Sequence, residues 1–191
     1  MIYAAIVHIT GQLNQNLKRS FNLNEDIVAV ANITEQDGTV TVNTANKIVA
    51  SLVNVEKEMT PGCRPPAAAS ANLPPVESYP PIHTNLYVLF AGNFSGNNYV
   101  ESLKFLSATI SFFQRNPLFT SQNSPDLDRR IARLALEIEN LNFKDLSSLW
   151  TVLSGKYLPS VLYKIRMITF DGREIVGRAP RIIETQSRTH P

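Results

Sequence analysis

Apolar residues recur at Ile2, Ile6, Ile9, Leu13 and Leu17, a three-to-four spacing that predicts one amphipathic helix from Ile2 to Phe21. Gln12, Asn14, Gln15, Lys18 and Arg19 supply its polar face. The run Ile27 to Ile33 is apolar and β-branched, and Asp37-Gly38 then precedes Thr39-Val40-Thr41-Val42. Two strand patterns around an Asp-Gly predict a hairpin, because glycine accepts positive φ cheaply. A third strand is expected from Ile48 to about Val55.

Thr60 to Pro81 differs in kind. It holds seven of the twelve prolines, with Ala67-Ala68-Ala69 and no apolar period. Proline lacks an amide donor and favours extended geometry, so the stretch is expected to be an extended loop outside the sheet interior. The elements before it are too few to close a core, so both halves are expected to share one sheet within a single domain over 1–183, followed by a flexible tail at 184–191.

The second half opens on the strand Leu86 to Phe90. Asn97 or Asn98 is placed to cap a helix from Tyr99 to about Arg115, with Val100, Leu103, Leu106, Ile110 and Phe113 as its apolar stripe and Asn116-Pro117 as its stop. Leu134 to Ile138 alternates as a strand. Leu146, Leu149, Trp150 and Leu153 predict a short helix that starts near Asn142 and ends before Gly155. Val161 to Phe170 reads as a strand, and Asp171-Gly172 as a hairpin turn into Glu174-Ile175-Val176. About seven strands with three irregularly interleaved helices give an α+β fold, a mainly antiparallel mixed sheet with helices packed on one face.

Composition narrows the function. The chain has 191 residues, 43% of them hydrophobic and 18% charged, enough to build a core unaided. Eighteen Lys and Arg against sixteen Asp and Glu give +2, too balanced to favour nucleic acid as a partner. The apolar start carries no basic flank or small-residue cleavage site, and no run has the ~18 to 20 apolar residues of a membrane span, so cytoplasmic synthesis without membrane insertion is expected.

Candidate chemistry is thin. The lone Cys63 excludes an intrachain disulfide, and its setting, Pro-Gly-Cys-Arg-Pro-Pro, would not hold a nucleophile against a base such as His83. None of His8, His83 and His190 has a second ligand at helical spacing, so no metal is expected. Asp126, Asp128, Glu137 and Glu139 read as solvated carboxylates, and Gly92-Asn93-Phe94-Ser95-Gly96 lacks a phosphate-binding lysine. The expectation is a protein with no catalytic residue and no cofactor.

One region is more specific. Leu149-Trp150 through Tyr157, Pro159, Ser160 and Tyr163 gathers the only tryptophan, two tyrosines and a proline where a helix turns into a strand. With the opening helix, Ile48-Val49-Ala50-Ser51-Leu52-Val53-Asn54-Val55-Glu56, Pro80-Pro81 before Leu86-Tyr87-Val88-Leu89-Phe90, and Tyr99 to Phe113 before Asn116-Pro117, this motif resembles one family. It is the tube-terminator or cap family of extracellular contractile injection systems, of the Photorhabdus virulence cassette and antifeeding prophage type. The likeness runs from about Ile2 to Val176.

The resemblance implies a tail-terminator-like fold and a structural role. Copies of the chain would form a ring, a hexamer, on the inner tube at the end distal to the baseplate. That ring would stop tube growth and anchor the last sheath ring, so tube and sheath proteins are the expected partners. The product would be part of an assembled, releasable particle. The segment Val161 to Ile183 is a candidate docking edge, with Arg173, Arg178 and Arg181 facing sheath or tube. A competing reading is a non-enzymatic adaptor that binds through the proline-rich stretch.

Overall fold

The computed structural model describes residues 1–34, 41, 43–58, 76–78, 82–153, 156–170 and 175–178, with 76–78, 167–170 and 175–178 described by their backbone. In chain order the elements are α1 (Ile2–Phe21), β1 (Val28–Val30), β2 (Lys47–Lys57), β3 (Val76–Ser78), β4 (Ile82–Asn93), α2 (Tyr99–Arg115), β5 (Leu118–Thr120), β6 (Arg133–Glu139), α3 (Phe143–Val152), β7 (Ser160–Phe170) and β8 (Ile175–Arg178). Six strands form one sheet in the order β1-β2-β4-β7-β6-β5, and β3 pairs with β8 in a second, two-stranded sheet. Every pairing is antiparallel except β1 with β2. The α+β architecture and the mainly antiparallel mixed sheet are those the sequence predicts.

Strand alternation divides the core in two. Ile48 and Ala50 of β2, Leu86, Val88 and Phe90 of β4, and Tyr163 and Ile165 of β7 face one side. There α1 brings Ile6, Ile9, Leu13 and Leu17, and α2 brings Phe105, Phe112 and Phe113. The intervening residues Val49, Leu89, Ala91 and Leu162 face the other side, where Trp150 of α3 packs on them. The helices therefore do not all share one face, as the sequence reading had them: α3 takes the second. Its own apolar residues require this, because Leu146, Leu149, Trp150 and Leu153 must meet the apolar parity that α1 and α2 leave uncovered.

Strand β1 runs parallel to β2. The hairpin expected through Asp37-Gly38 into Thr39–Val42 lies, Thr41 apart, outside the described residues. The other edge of β1 is met by α1. Asn14, expected on the polar face, is buried at 9% exposure. Its Nδ2 donates to the Val28 carbonyl at 3.0 Å, while its Oδ1 accepts the N–H groups of Ile27 at 3.1 Å and Val28 at 2.8 Å. The opposite edge of β1 bonds to β2 through the Ile27 carbonyl and the Ala31 N–H. At Val28, β1 is thus held between an amide on one edge and β2 on the other.

The far end of the sheet is closed in the same way. Asn123, in the turn after β5, donates from Nδ2 to the Leu118 carbonyl at 2.8 Å and accepts the Thr120 N–H at 2.7 Å. Ser124 N–H donates to the Thr120 carbonyl at 2.8 Å. Each edge strand of the main sheet thus ends against an asparagine side chain that imitates a neighbouring backbone, a device that discourages edge-to-edge association.

Helix α2 spans the predicted residues but turns a different face inward. Ser102, Phe105, Thr109, Phe112 and Phe113 are buried, whereas Val100 is 61% exposed and Leu103 is also exposed. Aromatic payload decides between the two stripes. Phe105 lies 4.9 Å from Phe21 and 5.7 Å from Phe94 between ring centroids, and Phe112 lies 6.5 Å from Phe119, while Phe113 belongs to both stripes. The hydroxyl of Thr109 donates to the Phe105 carbonyl at 2.8 Å, so it enters the core without an orphaned donor. Asn98 precedes the helix but makes no capping bond with its side chain, which donates instead to Asn46 Oδ1 at 3.3 Å.

Candidate assembly surfaces

Trp150, Tyr157, Pro159, Ser160 and Tyr163 are brought to one corner but divided between the two faces of the sheet. Asn142 caps α3, accepting the Asp145 N–H at 2.9 Å and donating to Asp145 Oδ2 at 2.8 Å. That fixes the helix so that Trp150 is buried on the second face, with Tyr157 edge-on at 5.6 Å. The Pro159 carbonyl accepts the Gly92 N–H at 2.9 Å, and Ser160 opens β7 opposite Ala91. Tyr163 enters the first face among Phe90 and Phe113, and burial pushes its phenol up to about 12.

The segment expected to be a docking edge is arranged otherwise. Strand β7 lies inside the sheet, between β4 and β6, and β8 pairs with β3. The proline-rich stretch contributes β3 to that small sheet, while residues 59–75 and 79–81 lie outside the described residues. Arg178 ends β8 opposite Val76. Arg173, Arg181, the Asp171-Gly172 turn and the tail at 184–191 also lie outside them.

Carboxylates here do structural work. Arg130 Nη2 approaches Asp128 Oδ2 at 2.6 Å, and this guanidinium holds the Asp128 carboxyl well below its usual range. Arg166 pairs with Glu137 at 3.0 Å across β7 and β6. His8 stacks edge-on against Phe119 at 5.6 Å beside a cleft of about 630 Å³ between α1 and the 125–129 loop, and burial lowers its pKa, opposed by Asp126. Its Nε2 has no hydrogen-bond partner among the described residues. Among the described residues no three His, Cys, Asp or Glu side chains gather as a metal site, and no helix is long and apolar enough to cross a membrane.

Unlike these pairs, α3 leaves large apolar surface in solvent. Phe143 is 91% and Val152 81% exposed on a ten-residue helix whose single buried residue is Trp150. On the opposite face Tyr99, Val100 and Leu103 of α2 are exposed too. Periodicity missed both patches, because it counts apolar positions without showing which of two stripes meets the core. Exposed apolar side chains thus stand on the helices of both sides of the sheet.

The model of the Pvc16 N-terminal domain family matches residues 5–184, and the chain belongs to that family. Its fold is similar to the anti-feeding prophage cap, described as the tube-terminating cap: TM-score 0.52, 10% identity, covering 96% of this chain and 61% of that one. The sheath/tube terminator of the PVC extracellular contractile injection system, in its extended state, aligns at TM-score 0.49 and 13% identity, covering 95% of this chain and 63% of that one. The chain therefore spans less than two thirds of either solved protein. No curated protein matches the sequence significantly.

Proposed function

We propose that this chain is a structural cap of a phage-tail-like contractile injection system. Copies of it form a hexameric ring on the end of the inner tube distal to the baseplate, stop further tube growth and anchor the last sheath ring. The chain is made in the cytoplasm, performs no catalysis and leaves as part of the particle. The observation that carries this reading is the family match over 5–184, nearly the whole chain, supported by the shared fold of a solved tube-terminating cap.

The physics of the task agrees. A stacked-ring tube grows because each ring presents a surface that templates the next, so a terminator must dock on one surface and present an unlike one outward. This chain has unlike faces: one carries α1 and α2, the other only α3. Its sheet edges are partly blocked, at Val28 by Asn14 and at Leu118 and Thr120 by Asn123, which discourages strand-by-strand propagation of the main sheet. Arg173, Arg178 and Arg181 are assigned to assembly contacts. The direct test is polymerisation of purified inner-tube protein with and without this chain. Added chain should shorten the tubes and sit at one end; tubes of unchanged length with no end density overturn the reading.

A further inference from the structure

With the ends of the main sheet closed and one face filled by α1 and α2, the second face is the place left for an incoming segment. Beside α3 it holds a groove of about 440 Å³. Leu149, Val152 and Leu162 make it apolar, and Glu56, Glu139 and Asp145 line it as well. Glu56 accepts the Tyr87 hydroxyl at 2.8 Å and Asp145 accepts Asn142 Nδ2 at 2.8 Å, both neutral donors. None of the three carboxylates makes an ion pair within the described residues. The cation standing nearby is Lys164, whose Nζ lies 5.3 Å over the Tyr87 ring. Carboxylates are in excess, so the groove suits a segment that is apolar and carries more than one cation.

The chain contains such a segment, beginning at the last residue of β8: Arg178-Ala179-Pro180-Arg181-Ile182-Ile183. Two guanidiniums can each meet a carboxylate in paired hydrogen bonds, and two isoleucines supply apolar area. Proline at position 180 fixes one φ in advance, which lowers the entropy lost on docking. We propose that residues 178–183 of one copy dock in the α3 groove of a neighbouring copy. Groove and arm are different patches of the same chain, so each copy gives one and receives one. Such a heterologous contact closes into a ring when the rotation permits. The ring belongs to the cap reading and the inference rests on it to that extent; the complementarity of arm and groove does not.

The test is charge exchange on the full chain, read by analytical ultracentrifugation, with circular dichroism to check that each variant folds. Arm reversal (Arg178→Glu with Arg181→Glu) and groove reversal (Glu56→Lys with Glu139→Lys) should each weaken self-association by on the order of tenfold or more. Mixing the two reversed chains should restore it, because each arm then meets a groove of opposite sign, and the fourfold variant should also associate. Unchanged association in either reversed chain overturns the proposal. So does a wild-type chain that stays monomeric while failing to bind a labelled peptide of residues 175–186. Rescue in the fourfold variant but not in the mixture shows the arm docking on its own chain, and overturns exchange between copies. Failure of the cap reading looks different: charge exchange behaves as described, yet tubes grow to unchanged length with the chain present.

Discussion

Asn14 and Asn123 do the same work at opposite ends of the sheet. Each uses one amide group to satisfy a donor and an acceptor that a missing strand would have taken. Asn14 is the more consequential, since it is buried and holds three backbone groups. Asn14→Leu keeps the helix and the volume but orphans those groups, at a cost on the order of 1–3 kcal/mol for each left buried and unpaired. Denaturant unfolding should show the loss, and Asn123→Ala, at an exposed turn, should show far less; equal costs would contradict this account. Neither role was legible in sequence. Asn14 sits among Gln12, Gln15 and Lys18, and its partners lie thirteen and fourteen residues away, beyond any helical period.

His8 offers a prediction in pH at the same scale. Burial lowers its folded pKa below the ordinary 6.5, so the unfolded chain takes up a proton first as pH falls. The stability tied to neutral His8 is complete above 6.5 and declines as pH falls through the interval down to the lowered folded value. Melting temperature should therefore drop more between pH 7.5 and 5.5 in the wild type than in His8→Gln. Parallel profiles would show that His8 carries no such linkage.

Between elements, the closest fit is at Gly92. A Cβ added there would collide with Ser102 Oγ, and the Gly92 N–H is already committed to Pro159. Glycine at this position lets α2 lie against β4, with Ser102 Oγ donating to the Gly92 carbonyl at 3.5 Å. Gly92→Ala should destabilise by about 1–3 kcal/mol as overpacking, and Ser102→Gly in the same chain should recover part of that loss. Strictly additive effects would mean the two positions do not touch. The sequence ended the strand at Phe90, short of Gly92, and gave α2 its limits but not its face. Phe113 belongs to both possible stripes, and the neighbouring rings of Phe21, Phe94 and Phe119 select Phe105 and Phe112 over Val100 and Leu103. Helix α1 was read correctly at Ile6, Ile9, Leu13 and Leu17 because the apolar residues elsewhere on it, Tyr3, Val7 and Phe21, make no competing periodic stripe.

For the whole molecule, what was legible was the class. Strand and helix patterns led to a mainly antiparallel α+β sheet, and the ordered set from Ile2 to Val176 led to the family that the match over 5–184 shows. Less legible was how strands pair, since parallel β1-β2 and the separate β3-β8 sheet depend on contacts far apart in the chain. The two faces of the sheet are unlike, α1 and α2 on one and α3 on the other, and each carries exposed apolar helix surface.

The central claim is that this chain ends the tube, and electron microscopy of particles from a strain lacking its gene tests it most directly, with length and sheath state scored against complemented particles. The account predicts overlong or ragged tubes with prematurely contracted or loosened sheath at the end away from the baseplate. Particles of normal length with an intact, normally extended distal end would contradict it.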